Sequence, residues 1–199
     1  MSGRTRLGVG SGVLAVVTTV YLRVVRPWQL TWGATQAEVA AAMPGDELVA
    51  RPVFDATRAI TIQAPPAAVW PWLVQVGVGR AGWYSYDLLD NLGRPSADRI
   101  LPEHQGLTVG DVVPMSPDGT QGVTVQSMHA PNSMVWGSPG TSWAWQLEPL
   151  GHGATRLVTR IRSRPQPTPF SLAFAVLLEL ADIWMLRRML LTVRRRAAD

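Results

Sequence analysis

Residues 56–77, ATRAITIQAPPAAVWPWLVQVG, hold the reading on which the fold turns. Between Ala59 and Gln63, Ile60 and Ile62 alternate with Thr61 and Gln63, the period of a half-buried strand. Ala64, Pro65 and Pro66 end it, and a proline at the first helical position costs no backbone bond, so a helix can start there. Val69, Trp70, Leu73 and Val74 give that helix one apolar face, and Pro71 removes one of its bonds. In the continuation RAGWYSYDLLDNL (80–92), Ser85 is read as the cap of a second short helix. Leu88, Leu89 and Leu92 then share its side, and Asp87, Asp90 and Asn91 lie opposite, toward solvent.

Outward from this block the pattern changes. From Asp111 to Arg164, short alternating runs are separated by turn residues at Pro117–Gly119, Ala130–Asn132, Pro139–Gly140 and Gly151–Gly153, which predicts an antiparallel sheet. Trp143, Trp145 and Leu147 fall on one face, with Ser142, Ala144, Gln146 and Glu148 on the other. Leu157, Thr159 and Ile161 oppose Arg156, Val158, Arg160 and Arg162 in the same way, so one face is expected to be covered and one wet. After Pro165, Pro167 and Pro169, the segment from Ser171 to about Arg196 reads as one long helix with an arginine-rich last turn. Glu179 and Asp182 interrupt its apolar run, favouring a packed helix over a membrane span; both are assigned to a solvent-side stripe, with a buried acid paired to Arg187 or Arg80 as the alternative. Upstream, Thr35 and Glu38 form a capping box before a short helix that Pro44 and Gly45 end. The expected fold is α+β: a curved antiparallel sheet wrapped around a long C-terminal helix, a helix-grip arrangement with two short helices after the first strand. Its organisation is a basic apolar leader (1–27), a lead-in segment (28–55) and the helix-grip domain (56–197).

The segments 56–77 and 80–92, the turn PEHQGLTVGD (102–111) and the ending LLELADIWMLRRMLLTVRRRA (177–197) together resemble the SRPBCC superfamily. This START-like group contains polyketide cyclases, lipid-transfer domains and birch-pollen-allergen-like proteins, and the likeness is strongest to its bacterial branch labelled polyketide cyclase/dehydrase. The resemblance covers about residues 28–197. It implies an apolar cavity between sheet and long helix, and binding or transport of a hydrophobic small molecule or lipid. The alternative it carries is a cyclase- or dehydratase-type enzyme acting on an aromatic or polyketide substrate. Members share no one catalytic set, so no catalytic residue and no cofactor is assigned.

Composition narrows the classes further. Hydrophobic residues make up 47% of the 199 and charged residues 16%, so the chain can fill a core and is not of the disordered type. The absence of cysteine excludes disulfides, thiolate nucleophiles and zinc ribbons, and the absence of lysine excludes Schiff-base chemistry. The net charge of +4 comes from the two ends, the stretch between them being slightly acidic, which argues against nucleic-acid binding. Basic ends beside apolar runs suit a membrane surface. The uncharged run from Leu7 to Leu22, flanked by Arg4, Arg6, Arg23 and Arg26, falls just short of the roughly 17–25 residues of a spanning helix unless Val24 and Val25 extend it. Membrane association through residues 7–25 is the expectation, with a cytoplasmic protein as the alternative.

The residues assigned to ligand binding are Arg80, Trp83, Tyr84, Tyr86, Trp136, Trp143, Trp145 and Asp182. The aromatics offer rigid surface with a polar edge, and Arg80 sits in a loop where it can meet an anionic group. Gly77, Gly79 and Gly82 have dinucleotide-fingerprint spacing but follow a helix rather than a strand, so they are read as a loop. His104, His129 and His152 lie in separate loops without ligand spacing, and no metal is assigned.

Overall fold

The computed structural model describes residues 15–164 and 169–199, with 169–178 known by their backbone alone. Helix α1 (15–30) passes through a π-helical turn at Tyr21–Val25 and returns to α geometry at Arg26–Leu30. The part of the predicted leader before residue 15 lies outside the described residues. Among those described, no helix is long and apolar enough to cross a membrane. The Thr35 capping box starts α2 (Gln36–Ala40): the Thr35 N–H donates to Glu38 Oε2 at 2.6 Å and the Glu38 N–H to Thr35 Oγ1 at 3.2 Å. Strand β1 (Phe54–Ile62) begins earlier than its alternation suggested, and α3 (Pro66–Val74) follows with Pro71 inside it. Helix α4 (Asp87–Asp90) is a single turn.

Strands β2 (Val112–Pro114), β3 (Gly122–His129), β4 (Ser133–Ser138), β5 (Thr141–Leu150) and β6 (Ala154–Ser163) come next, each predicted turn falling between two of them. All pairings are antiparallel, in the order β1-β6-β5-β4-β3-β2. A bulge in the β3–β4 pairing between Val125 and Ser127 shifts the register, a device that bends a sheet. Helix α5 (Pro169–Ala198) is continuous and packs against β1 and α3. Its Leu186, Met189, Leu190 and Val193 join Ile60, Ile62, Leu73, Trp136, Trp145, Leu147 and Leu157 in one core on the concave side of the sheet. The fold is α+β of the helix-grip kind.

The outer face corrects the expectation of a wet surface. The lead-in segment lies across it, with Met43 packed among Ala59, Val135, Ala144 and Val158. The three outward arginines of β6 draw it in. Arg156 Nε donates to Glu38 Oε1 at 2.6 Å, and Arg160 Nη1 to Asp46 Oδ2 at 2.8 Å. Arg160 Nη2 reaches the carbonyls of Glu38 and Val39 at 2.9 and 3.0 Å, and Arg162 Nη1 that of Asp46 at 2.9 Å. A guanidinium carries five donors in a planar fork, so one outward arginine can tie down several turn carbonyls at once. Gly33, at φ +73°, lets this segment approach so closely that a Cβ there would lie 2.1 Å from the Ala59 carbonyl oxygen, and the Ala59 N–H donates to Trp32 O at 3.1 Å.

Hydrogen bonding from Arg156 pulls the Glu38 carboxyl down to about 2. A carboxyl depressed by folding contributes stability above its unfolded pKa and loses it as pH falls toward the folded value. Glu38→Gln is therefore expected to cost about 1–2 kcal/mol at neutral pH, after allowance for the pair's partial exposure. Thermal melts from pH 5 to pH 2 should show a shallower acid loss in the variant than in the parent. Parallel curves would remove this role from the pair.

Candidate functional site

Strand alternation on β4 and β5 points Trp136, Trp143 and Trp145 to the concave side, and the loop after α3 brings Trp83 to them. All four are buried. Trp83 stacks on Trp143 with ring centroids 5.8 Å apart and planes 8° from parallel, and Trp143 on Trp145 at 4.9 Å. Trp136 meets Trp143 and Trp145 edge-on at 5.2 and 5.3 Å. Trp143 Nε1 donates to Thr159 Oγ1 at 2.8 Å. The indole N–H groups of Trp136 and Trp145 are buried with no acceptor among the described residues.

The glycine loop holds a different group. Gly77 and Gly82, both at positive φ, exchange backbone hydrogen bonds of 3.1 and 3.2 Å and close a tight turn, which leaves no strand-to-helix phosphate cradle. Arg80 is half-buried instead of extending into solvent: Nη2 donates to the carbonyls of Val74 at 2.8 Å and His104 at 3.1 Å, and desolvation lowers its pKa. Tyr84 is buried at φ +57°, its hydroxyl accepting from Gln75 Nε2 at 2.7 Å, and desolvation pushes that hydroxyl up to about 12. The Arg196 guanidinium lies 4.8 Å from the Tyr84 ring centroid. Gln75 is the residue that sequence reading missed. Fully buried, it also donates to Arg99 O at 3.1 Å and accepts from the Leu101 N–H at 2.9 Å and Gln105 Nε2 at 3.0 Å. Its one signal was an amide side chain inside the apolar run LVQVG.

Helix α4 reverses the predicted orientation. Leu88, Leu89 and Leu92 are 81%, 73% and 63% exposed, while Asp87 turns inward to accept from the N–H of Ser96 at 3.1 Å and from its hydroxyl. Burial pushes the Asp90 carboxyl up from its ordinary value. The reason is local. Tyr86, not Ser85, occupies the cap position, and one turn is too short for an apolar stripe to decide which side faces the core.

The acids of α5 also leave their assigned solvent stripe. Arg26 Nε donates to Glu179 Oε1 at 2.7 Å, and Arg58 Nη1 to Asp182 Oδ2. Arg58 Nε reaches Gln29 O at 2.8 Å, so β1, α1 and α5 meet at one guanidinium that is fully buried. Asp182 is thus committed to an internal ion pair. Tyr86 lies under the Arg188 guanidinium at 4.4 Å, in the wall of a surface pocket of about 310 Å³ formed with Trp184, Arg187, Leu191, Thr192 and Arg195. The predicted residues therefore divide. The four tryptophans stand together, Tyr84 belongs to the Gln75 network, Arg80 ties the Val74 and His104 carbonyls beside it, and Tyr86 and Asp182 lie apart. Among the described residues, no group of His, Asp and Glu side chains gathers as metal ligands.

Comparison with family models and with curated proteins finds no match for this chain. Several solved structures are similar to it. A polyketide-cyclase-like protein, Cgl2372 of Corynebacterium glutamicum, is 19% identical at a TM-score of 0.46, over 71% of this chain and 89% of that one. KanY protein is 14% identical at 0.47, over 75% and 99%. A protein from Arthrobacter aurescens is 16% identical at 0.43, over 80% and 91%.

Proposed function

We propose that the protein binds a hydrophobic small molecule or lipid between its sheet and α5, as a carrier rather than a catalyst. The observation that carries this reading is the pair of buried indole donors, Trp136 Nε1 and Trp145 Nε1, set in a wall of packed rings. Folded proteins leave few buried donors without acceptors, and a carbonyl or hydroxyl on an otherwise apolar molecule satisfies such donors while its body lies on the aromatic faces. The titratable candidates favour binding over chemistry. The Tyr84 hydroxyl holds its proton at neutral pH, and Asp87 and Asp182 are engaged by Ser96 and Arg58. A cyclase- or dehydratase-type enzyme, the alternative, needs an acid or base against the ligand, and Tyr84 is its best candidate. Membrane attachment through residues 7–25 belongs to the same reading. In the described part of that run, Val16, Val17, Val20, Leu22 and Val24 are exposed on a helix.

Native mass spectrometry of gently purified full-length protein, with organic extraction, is expected to release a bound apolar molecule. Trp145→Phe, which keeps a ring and removes the N–H, is expected to weaken its rebinding about tenfold, the worth of one buried hydrogen bond. An empty protein whose tryptophan fluorescence responds to no lipid or aromatic probe would overturn the proposal. Loss of a turnover in Tyr84→Phe with ligand affinity unchanged would decide for the enzyme.

A further inference from the structure

We infer that α4 and the outward stripe of α5 form a docking surface for a membrane that carries anionic lipid. The inference stands apart from the identity of the bound molecule and does not require residues 7–25 to insert.

Helix α4 is turned inside out, its acids facing the protein and its leucines facing water. Outward leucines grouped on one short element mark a surface that meets another apolar phase. On α5, Leu180, Trp184, Arg188, Leu191 and Arg195 recur at intervals of three or four residues, one stripe of a helix, and Trp184 is 52% exposed. The opposite stripe, Ile183, Leu186, Leu190 and Val193, is buried in the protein. The two elements are continuous: Arg188 lies over Tyr86, next to the α4 leucines, and Tyr86 and Trp184 wall the same pocket. Trp184 also packs on Trp28, 6.3 Å between centroids, which joins the surface to the exposed valines of α1.

Charge selects the occupant. Arg187, Arg188, Arg194 and Arg195 lie on or beside this stripe, and among the described residues no carboxylate comes within ion-pair distance of them. The neighbouring acids are turned away, Glu179 to Arg26, Asp182 to Arg58 and Asp87 to Ser96. Leucine and tryptophan beside four arginines, with Asp199 as an exposed acid past the end of the stripe, is the composition of a helix lying in the headgroup region of an anionic bilayer. A second copy of the chain would set this positive surface against itself, which like-charge repulsion opposes.

Sedimentation of the full-length protein with vesicles tests the assignment. Binding to vesicles containing phosphatidylglycerol is expected to be at least about tenfold tighter than to pure phosphatidylcholine and to fall with added salt. The triple variant Leu88→Gln/Leu89→Gln/Leu92→Asn is expected to lose about tenfold or more of that binding. Asparagine suits the left-handed backbone at Leu92, φ +54°. Arg194→Gln/Arg195→Gln is expected to weaken binding to anionic vesicles alone. Both variants change exposed side chains, so unchanged melting curves and retention of the molecule released in mass spectrometry separate this surface from the interior site. Equal binding by the leucine variant and the parent would overturn the inference. So would equal affinity for both vesicle types, or a dimer in sedimentation velocity that the leucine changes dissolve while vesicle binding is absent.

Discussion

Asp182→Leu is expected to destabilise the protein by about 3–5 kcal/mol, and by more than Arg58→Leu does, because the two substitutions strand different charges. Without Asp182, the Arg58 guanidinium is left at 0% side-chain exposure with one backbone acceptor, Gln29 O. Without Arg58, the Asp182 carboxylate keeps 25% of its side-chain surface and can recover part of its hydration. Removing both partners takes away the desolvation of each, so the double variant Arg58→Leu/Asp182→Leu should fall within about 1–2 kcal/mol of the parent. Urea unfolding of the four proteins measures the cycle. Equal single-variant losses, or a double variant as weak as Asp182→Leu, would show that packing and not charge burial sets the energetics here.

Gln75→Leu carries the second large effect, about 2–4 kcal/mol, since buried groups deprived of partners cost roughly 1–3 kcal/mol each. The Tyr84 hydroxyl, the Arg99 carbonyl, the Leu101 N–H and the Gln105 amide all lose the same side chain. Gln75→Glu should rescue only in part, because the carboxylate still accepts from Leu101 and Gln105 but offers nothing to Arg99 O. Amide exchange at Leu101 is the local readout, expected to quicken more than exchange in β5. A Gln75→Leu protein within 1 kcal/mol of the parent would mean that water replaces the amide with little cost.

The sheet was legible because its signals are local. Alternation of period two with turn residues between the runs placed β2 to β6, and the four tryptophans came together because three share one face of the sheet, Trp136 on β4 and Trp143 and Trp145 on β5. Residue choice from Ser171 to about Arg196 predicted α5, again from local signals. What failed was the assignment of faces to helices. Glu179 and Asp182 fall on the side of α5 that carries Ile183, Leu186 and Leu190, a spacing that points inward. Only Arg26 and Arg58, remote in sequence, explain why acids are tolerated there. On α4, a single turn gave periodicity too little length to work with, and a hydrogen bond to Ser96 set the phase. The lead-in's place on the outer face was encoded in Arg156, Arg160 and Arg162, which pair with the Glu38 and Asp46 carboxylates and also with backbone carbonyls, and those carbonyls carry no side-chain signature.

The close approach of Gly33 to Ala59 also bears on aggregation. A sheet edge with free N–H and C=O groups is a template for strand addition by another molecule. Here the β1 edge is occupied at Ala59 by Trp32, and the opposite edge, β2, is three residues long and ends in a proline. Detachment of residues 31–34 would free the Ala59 N–H in the middle of the β1 edge, which makes the lead-in segment a guard of that edge as well as a cover for the sheet.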